Sequence, residues 1–263
     1  MHRFFIPQAC LNGDFVRFPA HVSRQMERVL RLKPGQSVAV VCPEVNEHVE
    51  YRVELVEVAA GNVTGVVRMV EPLHSEPDVK LTLYLSLAQR EKFEWMLQKC
   101  TEAGAAGFVP TISARSLVQE GSETEKKLER WKKILQEAAE QSGRGRIPGL
   151  SPSLRFDKAL TEAGNRNDLI LLAWEGEKDR ALRQVRQRFN DTDSWPERIA
   201  IFIGPEGGFT DQEAAQAVSS GAIPFSLGAR ILRMETAAVA ATVLVLYEFD
   251  RGAQSSGGGA AGP

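Results

Sequence analysis

Ile199-Ala200-Ile201-Phe202-Ile203 runs directly into Gly204-Pro205-Glu206-Gly207-Gly208-Phe209-Thr210. The apolar run is short, partly β-branched and stopped by Gly and Pro, which predicts a buried strand. A turn therefore follows at once on a core strand. Its glycines leave the backbone free to enter φ > 0 regions and let a ligand approach with no Cβ in the way. Next, Thr210-Asp211-Gln212-Glu213 forms a capping box, Thr210 accepting from first-turn amides and Glu213 reaching back. The order is strand, Gly-rich turn, helix. Phosphate sites share that order, but neither G-x-G-x-x-G nor G-x-x-x-x-G-K-[ST] can be written onto these residues. Taken alone, the turn fits a ligand-free connection better than a site.

A second segment changes this balance. Ala222-Ile223-Pro224-Phe225-Ser226-Leu227 predicts another strand, and Gly228 opens another turn in Leu227-Gly228-Ala229-Arg230-Ile231-Leu232-Arg233-Met234-Glu235-Thr236-Ala237-Ala238. Two strand ends then offer glycine turns. From Glu235 to Tyr247 the chain is apolar on nearly every face, so the expected helix is one buried on several sides. It is too short and too closely flanked by charge to span a bilayer.

Working outward, Leu81 to Leu87, Phe108 to Thr111 and Leu169 to Ala173 supply further strand candidates, with helical patterns between them. Lys126 to Gln141 places Leu128, Trp131, Ile134, Leu135, Ala138 and Ala139 on one face, and Ser122-Glu123-Thr124-Glu125 offers a capping box upstream. This alternation predicts an α/β fold with a mostly parallel sheet. Residues 36 to 70 differ, with β-rich runs at Ser37 to Val41, Tyr51 to Val58 and Val63 to Val70 that suggest a small barrel. Glu71 to Asp78, with two prolines, is the expected linker. The boundaries expected are 1–72, 73–250 and a low-complexity, disordered tail over 251–263.

A chain of 263 residues holds one large or two modest domains, and a net charge of -2 gives no global basic footprint for nucleic acid. Cys10, Cys42 and Cys100 lie far apart without a C-x-x-C pair, which argues against disulfides or zinc and for a reducing, cytoplasmic home. His2, His21, His48 and His74 show no ligand spacing, so no metal is expected. Neither a secretory leader nor a run of membrane-spanning length is present.

The paired glycine segments resemble those of the SPOUT methyltransferases, and within them the RsmE family, which methylates N3 of a uridine in 16S ribosomal RNA. The likeness rests on G-P-E-G-G-F-T with Glu213 and on L-G-A-R-I-L-R-M-E-T-A. It extends to Lys92 with Gln98-Lys99-Cys100-Thr101-Glu102-Ala103-Gly104, Pro110, Arg115-Ser116, Glu137 to Arg144, Met1 to Phe5 and Val29 to Gly35, nearly the whole chain. Arg24-Gln25 and Cys42 to Asn46 depart from the family pattern in the region concerned with RNA docking. Periodicity alone predicts an ordinary doubly wound sheet, since knots are essentially absent from folds. The resemblance implies a trefoil knot whose loops form an S-adenosylmethionine pocket, a PUA-like barrel before it, a homodimer, and 16S ribosomal RNA or the small subunit as partner.

S-adenosylmethionine is a sulfonium cation with no phosphate, so amides and carbonyls at glycine turns suit it. Gly204, Pro205, Glu206, Gly207 and Gly208 then form one wall and Leu227, Gly228, Ile231 and Leu232 another, with Leu172 as a third contact. For Glu206, an exposed turn carboxylate is an equal alternative. Uracil N3 is a weak nucleophile while it holds its imide proton, so a base or nearby positive charge is needed. Arg233 is the first candidate for that charge, because guanidinium stays ionised and offers a planar fork. Glu235 follows as an orienting or proton-accepting carboxylate, and fits a helix N-terminal carboxylate on the macrodipole at least as well.

Arg144 and Arg146 sit in Ser142-Gly143-Arg144-Gly145-Arg146, where Gly143 is the expected C-cap and the arginines meet phosphate. Arg3, Arg24, Arg28, Arg31 and Lys33 make a candidate basic stripe, with Arg28 and Arg31 neighbours if that segment is helical; Arg115 completes the RNA-binding set. An exposed helix face explains the stripe nearly as well. Two other classes stay open: a non-catalytic RNA-binding assembly factor on the same scaffold, and a dinucleotide oxidoreductase, which lacks its glycine fingerprint here. Binding of S-adenosylmethionine discriminates the first, retention of NAD the second.

Overall fold

The computed structural model describes residues 1–46, 48–59, 61–117, 124–190 and 194–251. Two compact units divide the chain: Met1–Glu76 with Gln136–Ile147, and Pro77–Leu135 with everything from Pro148 onward. The expected tail, apart from residue 251, and Ser122-Glu123 of the expected capping box lie outside the described residues.

The first unit contains β1 (Arg3–Phe5), β2 (Leu11–Asn12), β3 (Phe15–Arg17), α1 (Ala20–Arg24), β4 (Ser37–Val41), β5 (Val49–Ala59) and β6 (Asn62–Pro72). They make one curled mixed sheet in the order β1-β4-β5-β6-β3-β2, with only β1 and β4 parallel. Register shifts between Arg52 and Val53 and between Leu55 and Glu57 bend the long β5–β6 ribbon. At the second bend Gly65 is required, because a Cβ there would lie 2.8 Å from the Glu54 carbonyl oxygen. Phe4, Val16, Phe18, Met26, Val40 and Leu55 fill the concave side. β6 continues through Pro72, so the strand takes the first residues of the expected linker, its backbone pairing with β5 outweighing the local proline signal.

The second unit begins with β7 (Lys80–Ser86), α2 (Arg90–Glu102), β8 (Gly107–Ile112) and α3 (Glu125–Gln141), whose last residues group with the first unit. There follow β9 (Gly149–Leu150), β10 (Leu154–Arg155), α4 (Phe156–Arg166), β11 (Leu169–Ala173), α5 (Leu182–Gln187), β12 (Arg198–Ile203), α6 (Asp211–Ser219), β13 (Ile223–Phe225) and α7 (Met234–Phe249). All pairs in this sheet are parallel, in the order β10-β8-β7-β12-β11-β13, with β9 also on β8. Parallel strands are covered on both faces, which explains the unbroken apolar run of β12. Tyr84 stacks on Phe202 at 4.5 Å, and Phe156 meets both Phe202 and Phe209, fixing the start of the turn after β12 to the core.

The local signal was realised at the C-terminal end of α3, whereas at its start the observed cap is Thr124 and not the expected box opening at Ser122, which lies outside the described residues. Thr124 Oγ1 accepts the Lys127 N–H at 3.3 Å as N-cap. Gly143 takes φ +74°, and the Arg144 N–H returns to the Ala139 carbonyl at 2.9 Å, a Schellman closure. The expectation for α7 needs correction. Met234, Ala238, Ala241, Val245 and Phe249 are buried, but Val243, Leu244 and Tyr247 are 50%, 42% and 72% exposed, so among the described residues one apolar face of the helix is open. No described helix is long and apolar enough to cross a membrane.

Candidate active site

Parallel register brings Ala173 beside both Ile203 and Phe225, so β11, β12 and β13 end together. Their following loops enclose a cavity of about 250 Å³ at the carboxyl ends of the strands, where α/β sheets bind ligands. It is lined by 173–175, Lys178, 203–208, 226–232, Met234 and Ala237.

The central turn is held from several sides. The Gly208 N–H donates to the Pro205 carbonyl at 2.9 Å, and Gly208 adopts φ +68°. Thr210 and Glu213 form the expected reciprocal cap, the Glu213 N–H donating to Thr210 Oγ1 at 3.1 Å and the Thr210 N–H to Glu213 Oε2 at 2.9 Å. Glu213 does more than its motif requires. Buried at 8% exposure, it also accepts the Ala114 N–H at 2.7 Å, tying the turn to the loop after β8. Arg115 Nη1 donates to the Gly207 carbonyl at 2.7 Å, and Lys92 Nζ reaches Glu206 Oε1 at 3.1 Å. Two cations thus clasp the outer side of the turn.

The loop after β11 is equally fixed. The Trp174 N–H bonds the Phe225 carbonyl, the Ser226 N–H bonds the Arg180 carbonyl, and Arg180 Nη1 bonds the Pro224 carbonyl at 3.2 Å. Backbone amides of Asp179 and Arg180, with the Arg180 charge, hold the Glu177 carboxyl below its ordinary range. On the third loop, Gly228 takes φ +110° and its N–H donates to Ser226 Oγ at 3.2 Å.

Of the residues expected to contact a cofactor, Gly204, Pro205, Glu206, Gly207, Gly208, Leu227, Gly228, Ile231 and Leu232 meet in this one cavity. Leu172 does not. It is fully buried in the core, and the next residue, Ala173, lines the cavity, because side chains alternate along a strand. Arg233 and Glu235 also stand outside the lining: Arg233 occupies the N-cap position of α7 without a side-chain cap bond, and Glu235 Oε2 is buried without a hydrogen-bond partner among the described residues. The ionisable side chains that do line the cavity are Glu175, Lys178, Glu206 and Arg230. Glu175 and Lys178 carry no motif of their own; only their place after a core strand marks them.

The residues expected at RNA divide in the same way. Arg24, Arg28, Arg31 and Lys33 are exposed on the first unit, but the helical segment stops at Val29 and Arg31 adopts φ +53°, so Arg28 and Arg31 share no helix face. Arg3 bonds Glu50 and the Gly143 carbonyl. Arg144 is 2% exposed and grips Glu76 with Nε at 3.1 Å and Nη2 at 2.6 Å. That bidentate pair consumes the fork intended for phosphate. Arg146 is half-buried, and Arg115 belongs to the cavity turn.

Residues 75–246 match the family described as RNA methyltransferase domain. Ribosomal RNA small subunit methyltransferase E of Mesomycoplasma hyopneumoniae is 33% identical over 91% of this chain and 96% of its own length. The protein of the same name from Synechocystis is 33% identical over 81% of this chain, which spans 66% of that relative. Among solved structures, a ribosomal RNA small subunit methyltransferase E from Neisseria gonorrhoeae bound to S-adenosyl methionine superposes with a TM-score of 0.79 at 28% identity, covering 94% of this chain and 97% of that one.

Proposed function

The chain belongs to the ribosomal RNA small subunit methyltransferase E family, and from that premise we propose that it methylates N3 of a uridine in 16S ribosomal RNA with S-adenosylmethionine as donor. The observation that carries this reading is the cavity at the ends of β11, β12 and β13. Its walls offer backbone amides and carbonyls from glycine turns, apolar contacts from Leu227, Ile231 and Leu232, and charged side chains at Glu175, Lys178 and Arg230. That set fits a zwitterionic sulfonium nucleoside.

When bound, S-adenosylmethionine supplies an electrophilic methyl group. The protein must place uracil N3 before it and remove the imide proton. Arg230 lines the cavity, and its guanidinium suits the negative charge that spreads onto the ring oxygens as the proton leaves. Arg233 and Glu235 open α7 directly after the lining segment and complete the set, Arg233 on the ring oxygens and Glu235 as the orienting carboxylate or the acceptor of the imide proton. Exposed Arg24, Arg28, Arg31 and Lys33 on the first unit supply phosphate contacts. The first unit, residues 1–72 at its core, acts as a PUA-like RNA-binding barrel, and 73–250 as the cytoplasmic methyltransferase domain.

Two structural features belong to the same reading. Phe225 and Ser226, at the end of β13, are hydrogen-bonded to Trp174 and Arg180 of the loop after β11, and we read that contact as the place where a trefoil knot closes. The open face of α7, with Val243, Leu244 and Tyr247, supports a homodimer. Nucleoside mass spectrometry of ribosomal RNA from a strain lacking the protein tests the activity. Loss of 3-methyluridine is expected, and its unchanged persistence defeats the assignment.

A further inference from the structure

We propose that Glu175 positions the cofactor by accepting hydrogen bonds from the hydroxyls of its ribose, an inference that rests on the methyltransferase reading above. Glu175 follows β11 by two residues and lines the cavity. No hydrogen bond or ion pair engages its carboxylate among the described residues, whereas Glu206 is paired to Lys92. It is nevertheless not a loose surface group. The Trp174–Glu177 turn that carries it is pinned to β13, and the carboxylate rests against the backbone of Gly208. A Cβ on Gly208 would meet the end of the Glu175 side chain, and the φ of +68° at Gly208 is what calls for glycine there.

Topology identifies the ligand group. In dinucleotide-binding parallel sheets an acidic side chain at the end of the strand next to a Gly-rich turn takes ribose hydroxyls, and this chain shares that juxtaposition, though not the glycine fingerprint or the order of the two along the sequence. Here the Gly-rich turn follows β12, and Glu175 follows the adjacent β11. No phosphate fingerprint accompanies them, so the shared element is the ribose and not a pyrophosphate. A carboxylate has acceptor sites for both hydroxyls of a diol, whereas backbone carbonyls of a turn each face one direction.

Calorimetry on the full chain tests this with S-adenosylhomocysteine and its 2′-deoxy counterpart, against wild type and Glu175→Ala. The wild type is expected to bind the ribose form about tenfold more tightly than the deoxy form, as one charge-assisted hydrogen bond implies. Glu175→Ala, which removes the bonds to both hydroxyls, should lose more for the ribose form than the roughly tenfold that the deoxy ligand loses against wild type, and should bind the two ligands alike. A variant that keeps the wild-type preference, or binds the ribose form with unchanged affinity, overturns the inference while leaving the methyltransferase reading intact. Failure of the wild type to bind S-adenosylmethionine or S-adenosylhomocysteine overturns both. Glu175 is exposed, so the substitution leaves the fold in place, checked by an unchanged urea midpoint.

Discussion

Replacing Glu213 with alanine isolates the device that holds the cofactor turn. Its buried carboxylate accepts the Ala114 N–H at 2.7 Å, the Thr210 N–H at 2.9 Å and the Thr210 hydroxyl at 3.0 Å. Hydrogen bonds to a charged group contribute roughly 1.5–3 kcal/mol each when buried. Ala114 is exposed and Thr210 half-buried, so water replaces part of what is lost. Thr210 Oγ1 also keeps its bond from the residue 213 amide, so the cap itself survives in part. The expected cost is therefore about 2–3 kcal/mol for Glu213→Ala and about half that for Glu213→Gln, which retains one acceptor. All four tryptophans, Trp95, Trp131, Trp174 and Trp195, lie in the second unit, so their fluorescence in urea follows its unfolding. The same variant should weaken S-adenosylmethionine binding, because the loop after β8 no longer braces the turn. A midpoint within about 0.5 kcal/mol of wild type, the range of an ordinary surface substitution, would refute the bracing role.

Arg144→Ala takes the charge partner from Glu76, which keeps the Gly145 N–H at 3.0 Å, and should destabilise the first unit by about 3 kcal/mol, measured by hydrogen exchange of β4 and β5, with RNA affinity per folded molecule unchanged. Burial raises the Glu140 carboxyl above its ordinary 4.5, so the folded state holds a proton that the unfolded chain has already released; stability falls as pH rises through the raised value. Glu140→Gln should accordingly gain stability above that window and none below 4.5, read from urea midpoints across pH. Leu244→Asp with Tyr247→Arg places charge on the open face of α7 and should convert a dimer to a monomer in sedimentation analysis; an unchanged mass removes α7 from the interface.

Features whose cause is local were legible in the sequence. β12 is apolar throughout because both its faces are covered, and Thr210 with Glu213 carries its capping geometry within one helical turn. What depended on partners far along the chain was not. Leu172 and Ala173 differ by one step of strand alternation, which decides core or cavity and which no nearby residue reveals. Arg144 looked free beside two glycines, but its partner Glu76 is set by tertiary structure. Glu175 and Lys178 join the site only because β11 lies next to β12. β9 and β10 are two residues each, too short to show a period.

The most direct test supplies the purified chain with small ribosomal subunits from a strain lacking it and S-adenosylmethionine labelled in the methyl group, followed by digestion to nucleosides. Label in 3-methyluridine, confined to the 16S RNA and abolished by Arg230→Ala, is the predicted result. Label in another nucleoside, or none with S-adenosylmethionine bound, would contradict the account.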